Sequence, residues 1–279
     1  MAWQGRLQLD YRMEAGRTVG RDTHHGPLRV LKRLYPEGPA LCHHVLVHPP
    51  GGLVAGDHLE IDIEVHEHAQ ALVTTPGATR FYRSTGDPAR QSVDARIGAG
   101  ARLEWLPMET IAYRGTHADN RMRFQLADDA QMIGWDLLAL GLPASDAPFD
   151  TGRYAQRIDL PGAWLERGIL DSAHPQFQRL LDSPLGWDRQ RALATMWCAC
   201  GNDWPAPLRE ALLEDARAVL AESPVAARAG ASAPAPGLVL LRALADRIEP
   251  LWTTLQAVRD AWRARLWQRA PETPRVWHT

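Results

Sequence analysis

The stretch Ile61-Asp62-Ile63-Glu64-Val65-His66-Glu67-His68-Ala69 decides how this chain is read. Ile61, Ile63 and Val65 alternate with charged residues, and period 2 puts all three on one face of a strand. Three polar residues follow, and a new apolar run opens at Ala69. The pattern recurs at Val93-x-Ala95-x-Ile97 with Gly98-Ala99-Gly100 before Ala101. It recurs again at Met122-x-Phe124-x-Leu126 with Ala127-Asp128-Asp129 before Ala130, so the offsets are 32 and 29 residues. Three-residue turns of this kind suit hairpins or solenoid corners, and a period near 30 predicts stacked β units that bury one face against their neighbours.

Proline and glycine punctuate the chain around the first copy. His48-Pro49-Pro50-Gly51-Gly52 precedes it and Thr75-Pro76-Gly77 follows. Glycine tolerates positive φ and proline fixes φ, so both stretches read as sharp corners that gather polar ends at one edge of a sheet. Toward the N-terminus, Leu7–Tyr11 and Leu28–Leu34 alternate like strands, with His24-His25-Gly26-Pro27 as a turn between them. Toward the C-terminus, Gln156–Leu160 and Ala163–Leu165 read as a hairpin, and Arg191–Cys200 as a strand. From Asp203 the spacing becomes helical, with Pro205 fitting a first turn. Ser223–Gly237, rich in alanine and proline, reads as a flexible linker. Leu241, Leu244, Ile248, Leu251, Leu255, Val258 and Trp262 step by three and four, predicting an amphipathic helix interrupted near Pro250.

The expectation is a single mainly β, solenoid-like body of stacked hairpins over residues 1–279 with a few C-terminal α-helices. Residues 1–202 form the β-rich part, 203–222 and 238–268 the helical elements, and 223–237 the linker. Eight of the eleven tryptophans lie at or after Trp164, placing packing or docking surface in that half. A net charge of −2 gives no support to nucleic-acid binding. No window is apolar enough to span a bilayer, no signal peptide is evident, and three cysteines cannot form an even disulfide framework; together these predict a cytoplasmic protein.

Chemistry-bearing motifs are sparse. There is no phosphate-binding loop with its lysine and no GxSxG elbow. Six of the eleven histidines (His43, His44, His48, His58, His66 and His68) fall within 26 residues. His66 and His68 share a strand face and could hold one divalent ion. The pair is similar to the HxH of cupin metalloenzymes, and a cupin-like metalloenzyme using His66 and His68 is the alternative reading. The glutamate that cupins add a few residues later has no counterpart in Ala71-Leu72-Val73. Cys198 and Cys200 would also share a face, as metal ligands or as small apolar packing. Asp57 and Glu109 sit at strand-end corners, where a carboxylate serves as acid, base or ligand, or caps a turn.

Larger blocks carry a more specific signal. Pro27-Leu28-Arg29-Val30, Leu34–Gly38, His48-Pro-Pro-Gly-Gly-Leu-Val-Ala-Gly-Asp57, Thr74-Thr-Pro-Gly-Ala-Thr-Arg-Phe-Tyr-Arg-Ser84, Leu103–Thr110 and the terminal Pro274-Arg275-Val276-Trp277 occur in the order found in the urease accessory protein UreD (UreH) family, which the chain resembles over nearly its whole length. The resemblance implies a β-rich solenoid and a non-catalytic scaffold. Such a scaffold binds apo-urease, the accessory protein UreF and, through it, the GTPase UreG, and helps load nickel. It holds no tightly bound cofactor; transient Ni²⁺ passes through an internal, water-filled passage. The resemblance makes His48, Asp57, Thr75, Arg80, Tyr82 and Glu109 the candidate lining of that passage. Two departures stand out. Met108 replaces the glutamine usual before the glutamate, and Gly141–Phe149 lacks the arginine and glutamate of the family's GR-x-A-x-GE-x-F block.

Overall fold

The computed structural model describes residues 2–142 and 145–278. The chain opens with a hairpin of β1 (Gln4–Glu14) and β2 (Arg17–His25), then β3 (Arg29–Leu34) and β4 (Leu41–Val47). Three coils follow: β5 (His58–Val65), β6 (Gln70–Thr74) and β7 (Thr79–Phe81); β8 (Ala89–Ile97), β9 (Arg102–Leu106) and β10 (Thr110–Ala112); β11 (Thr116–Leu126), β12 (Gln131–Leu142) and β13 (Ala147–Pro148). The chain continues through β14 (Gly152–Leu160), β15 (Trp164–Asp171), α1 (Phe177–Asp182), β16 (Ala192–Cys200) and α2 (Ala206–Ala221). It closes with β17 (Ala229–Ala235), β18 (Leu238–Ala245) and α3 (Ile248–Trp267).

Two sheets result. The front sheet runs β15-β14-β11-β8-β5-β1-β2 and the back sheet β17-β18-β16-β12-β9-β6-β4-β3. The predicted repeat is the solenoid coil, and the protein is a mainly β solenoid of about four turns. Ile61, Val93 and Met122 stand in parallel register on successive rungs, as do Val65, Ile97 and Leu126. The rungs continue in both directions, to Leu7 on β1 and Ile158 on β14. Of the two turn types the spacing allowed, these are corners: the strands on either side enter opposite sheets. Each corner is closed by the same bond, Ala69 N–H to His66 O, Ala101 to Gly98 and Ala130 to Ala127. Each carries a left-handed third residue: His68 at φ 61°, Gly100 at 63° and Asp129 at 57°. Glycine, aspartate and histidine all reach that region more readily than bulky residues.

The inward triplets form one core between the sheets. A second core lies behind the back sheet, where Leu72, Ile133, Trp135 and Cys198 meet Leu212, Leu255, Val258 and Trp262 from α2 and α3. Burial of the Trp262 indole is completed by its N–H donating to Leu212 O at 2.8 Å. No described helix is long and apolar enough to cross a membrane.

Two expectations for the C-terminal part are corrected. Residues 223–237 are not a linker: they hold a short 3₁₀ turn and β17, the edge strand of the back sheet. Proline is tolerated there because an edge strand leaves one row of backbone groups unpaired. Residues 238–245 are not helix but β18, an apolar run covered on both faces, and both Leu241 and Leu244 belong to it. A strand buried on both sides shows no period-2 alternation, so its leucines fell by chance on the helical stripe. The true stripe begins in α3, where Pro250 occupies the first turn and causes no break.

Candidate functional site

The two proline-glycine corners and the Pro107–Thr110 segment lie side by side. Leu53 N–H donates to Arg80 O at 2.7 Å and Tyr82 N–H to Leu53 O at 2.9 Å. Thr79 N–H in turn donates to Glu109 O at 2.9 Å. Gly52 is required for this stacking, since a Cβ there would stand 2.3 Å from the Tyr82 ring. Thr75 ties two corners together: its hydroxyl oxygen accepts Met108 N–H at 2.9 Å and its O–H donates to Gly77 O at 3.0 Å.

These corners rim a cavity of about 230 Å³ that runs between the two sheets. His48, Thr75 and Arg80 line it at the rim; Gln91, Asn120 and Asp136 reach into it from the walls. The space is large enough for several waters and has polar side chains in its lining. Its polar groups sit on successive rungs. Gln91, Asn120 and Gln156 share one register row of the front sheet. The Gln91 amide donates to Asn120 at 3.4 Å, Asn120 donates to the Tyr154 hydroxyl at 3.0 Å, and Gln156 donates to Asp136 Oδ2 at 2.6 Å. Asp136 is buried and, among the described residues, has no ion-pair partner. Burial pushes its carboxyl up to about 6, against the pull of the Gln156 amide. His48 contributes a buried Nε2 with no hydrogen-bond partner among the described residues; burial lowers its pKa and Asp57 partly offsets this. An imidazole and a carboxylate with spare lone pairs are suited to brief ligation of a borderline cation.

The six residues expected at the passage separate into two groups. His48, Thr75 and Arg80 line the cavity, whereas Asp57, Tyr82 and Glu109 are not among its lining residues. Asp57 caps the corner: its carboxylate accepts Trp3 N–H at 2.7 Å and Val54 N–H at 2.9 Å. Tyr82 stacks against Tyr113, their centroids 4.8 Å apart, and Glu109 is half-buried near Arg80. The inner amides and Asp136 were missed. A signal existed, since Gln91, Asn120 and Gln156 each stand two residues ahead of a rung's first apolar residue.

The clustered histidines disperse. His43 faces the C-terminal helices, and His44 points inward to Tyr11 at 2.8 Å. His66 pairs with Asp10 at 2.8 Å, while His68 is the left-handed corner residue. Cys198 packs in the second core, where burial pushes its thiol strongly up, and half-buried Cys200 is raised for the same reason. In the Gly141–Phe149 block, Pro143 and Ala144 lie outside the described residues.

Behind the back sheet, Arg259 Nε donates to Glu104 Oε2 at 2.6 Å, and Arg263 Nε lies 3.2 Å from Glu104 Oε1. Arg263 also pairs with Glu37, which accepts from His43 at 3.0 Å. Burial alone would raise the Glu37 carboxyl, but His43 and Arg263 outweigh it and hold it down to about 2. This network fastens α3 to β9.

The class is that of a β-solenoid with helices packed on one side and a partly polar cavity opening at its irregular corners. The family model described as "UreD urease accessory protein" matches residues 4–278. The chain is 56% identical to the urease accessory protein UreD of Leptothrix cholodnii over the full length of both. It is 50% identical to that of Variovorax paradoxus and 51% to that of Methylibium petroleiphilum, again covering each chain completely. This chain belongs to the UreD family.

Proposed function

We propose that this chain is a urease maturation scaffold of the cytoplasm. It holds apo-urease together with UreF and, through UreF, the GTPase UreG, and it guides Ni²⁺ toward the urease active site without retaining it. The observation that carries the reading is the family match across residues 4–278. The cavity supports the guiding role: three corners rim it and, among the described residues, His48 Nε2 has no hydrogen-bond partner and Asp136 has no ion-pair partner. Ligands of mixed hardness and low number bind Ni²⁺ weakly enough to release it. The cupin-like alternative loses its support, since His66 is paired with Asp10 and the strands form a parallel solenoid rather than a jelly roll.

Urease activity in cells lacking this gene, measured at limiting and at excess nickel, tests the proposal. The expected result is loss of activity at limiting nickel, restored by the intact gene. Full activity without the gene at limiting nickel would overturn it.

A further inference from the structure

The ends of the two sheets are finished differently. On the back sheet, edge strand β17 carries Pro234 and is otherwise alanine, glycine and serine, while the opposite edge β3 is broken by a register shift between Val30 and Arg33 and carries Lys32. Prolines, bulges and lysines are the usual means of keeping an edge from accepting another strand. The front sheet ends at β2 and at β15, and β15 has none of these. Its pairing with β14 is unbroken from Arg153–Asp171 to Leu160–Trp164, and among the described residues it forms no ladder with any other strand.

The solvent face of that edge is patterned. Leu165 and Ile169 are 53% and 46% exposed, with Arg167 between them on the same face. Arg167 stands opposite Arg157, and Arg157 opposite Arg121, so three arginines share one register row. Like charges directly opposite one another oppose sheet formation, so the fold gains nothing from the row. Arg121 and Arg157 are each held by an aspartate two residues away, Asp119 and Asp159, whereas Arg167 has no ion-pair partner among the described residues. Interspersed aspartates and flanking aliphatics disfavour a nucleic-acid backbone, which recruits a uniformly basic surface.

We infer that the open edge of β15 accepts an added strand from a partner protein, an extended segment of pattern aliphatic-x-acid-x-aliphatic whose acid meets Arg167 and whose aliphatics meet Leu165 and Ile169. Side chains on neighbouring strands pair one to one on each face, which fixes that spacing. The inference goes beyond the scaffold reading and holds whether or not the chain handles nickel.

The test uses the full chain and a labelled peptide, Ser-Thr-Val-Thr-Glu-Thr-Val-Thr-Ser, in a fluorescence anisotropy titration at low salt. Saturable binding is expected, weakened at least about tenfold when lysine replaces the peptide's glutamate. Arg167→Glu reverses the preference toward the lysine peptide, which also shows that the variant is folded, and Leu165→Lys with Ile169→Lys removes binding of both. The inference is overturned by absence of binding up to about 1 mM, by equal affinity for the two peptides, by an unchanged preference in Arg167→Glu, or by tighter binding of single-stranded polyuridylate than of the glutamate peptide.

Discussion

Glu104 and Asp136 lie close together in the back sheet, on neighbouring strands β9 and β12, and both are buried. They face opposite ways. Glu104 points toward α3, where two arginines neutralise it and the surroundings are aliphatic or indole. Asp136 points into the cavity, where its partner is a neutral amide. One carboxylate is tied to two guanidinium groups as part of the fold. The other is held at a cost by a neutral neighbour and remains free to change its protonation state or accept a cation. Buried charge is expensive unless compensated, so the contrast separates a structural acid from one that the fold alone does not account for.

The largest effect should come from breaking the compensated side. Arg263→Met leaves Glu37 and Glu104 each short of a cation in a sealed interface, with an expected loss of about 3–5 kcal/mol. The midpoint of urea unfolding measures it. Adding Glu104→Leu should recover part of the loss, because the double variant no longer strands that acid. An equal loss in single and double variants would mean that α3 is held by apolar packing alone.

Asp136 should behave with the opposite sign. Its folded value of about 6 lies above its ordinary 3.8, so the folded state favours the proton. The stabilisation is complete below pH 3.8 and is lost as pH rises through about 6. A difference of roughly two units is worth about 2–3 kcal/mol. Asp136→Asn should therefore be more stable than the parent above pH 6 by up to that amount and match it near pH 4. Glu37 runs the other way: its contribution is present above pH 4.5 and fades toward about 2. If Asp136 serves the passage, the stabilised asparagine variant activates urease poorly at limiting nickel, so stability and activation move in opposite directions. Parallel movement would remove Asp136 from the conduit.

A smaller effect is expected at the rim. Thr75→Val removes the acceptor of Met108 N–H and should cost about 1–2 kcal/mol. Amide exchange localises it: the Met108 amide loses protection while amides in β9 keep theirs.

How much of this was legible follows from the range of each interaction. The coils were readable because inward triplets repeat at period 2 and their corners are local in sequence. The fourth copy at Ile158 escaped notice because the Gly141–Asp150 excursion lengthens its spacing to 36 residues. The amide row was present in principle but becomes visible only once rungs are aligned. The Glu37–Arg263 and Glu104–Arg259 pairs span 226 and 155 residues, and no local pattern announces them. β18 was misread because a doubly covered strand looks like any apolar run. The two proline-glycine corners were correctly located by their residue types, yet of the polar residues on them only some turn toward the cavity, and backbone direction decides which.

The smallest effect is expected at His66, whose partner Asp10 is held low first by Arg12 and then, against some burial, by His66 itself. Both side chains are about a third exposed, at 36% and 33%. An ion pair in that setting contributes about 0–1 kcal/mol. His66→Ala should therefore shift the unfolding midpoint little, leave the solenoid corner intact through the Ala69–His66 backbone bond, and activate urease like the parent. Thr75 lines the cavity, so Thr75→Val should lower urease activation at limiting nickel, and the two corners make opposed predictions. Were His66→Ala the variant that fails while Thr75→Val succeeds, the metal-handling end of the molecule would be the regular corners, and the cavity between the proline-glycine corners would be only a packing defect.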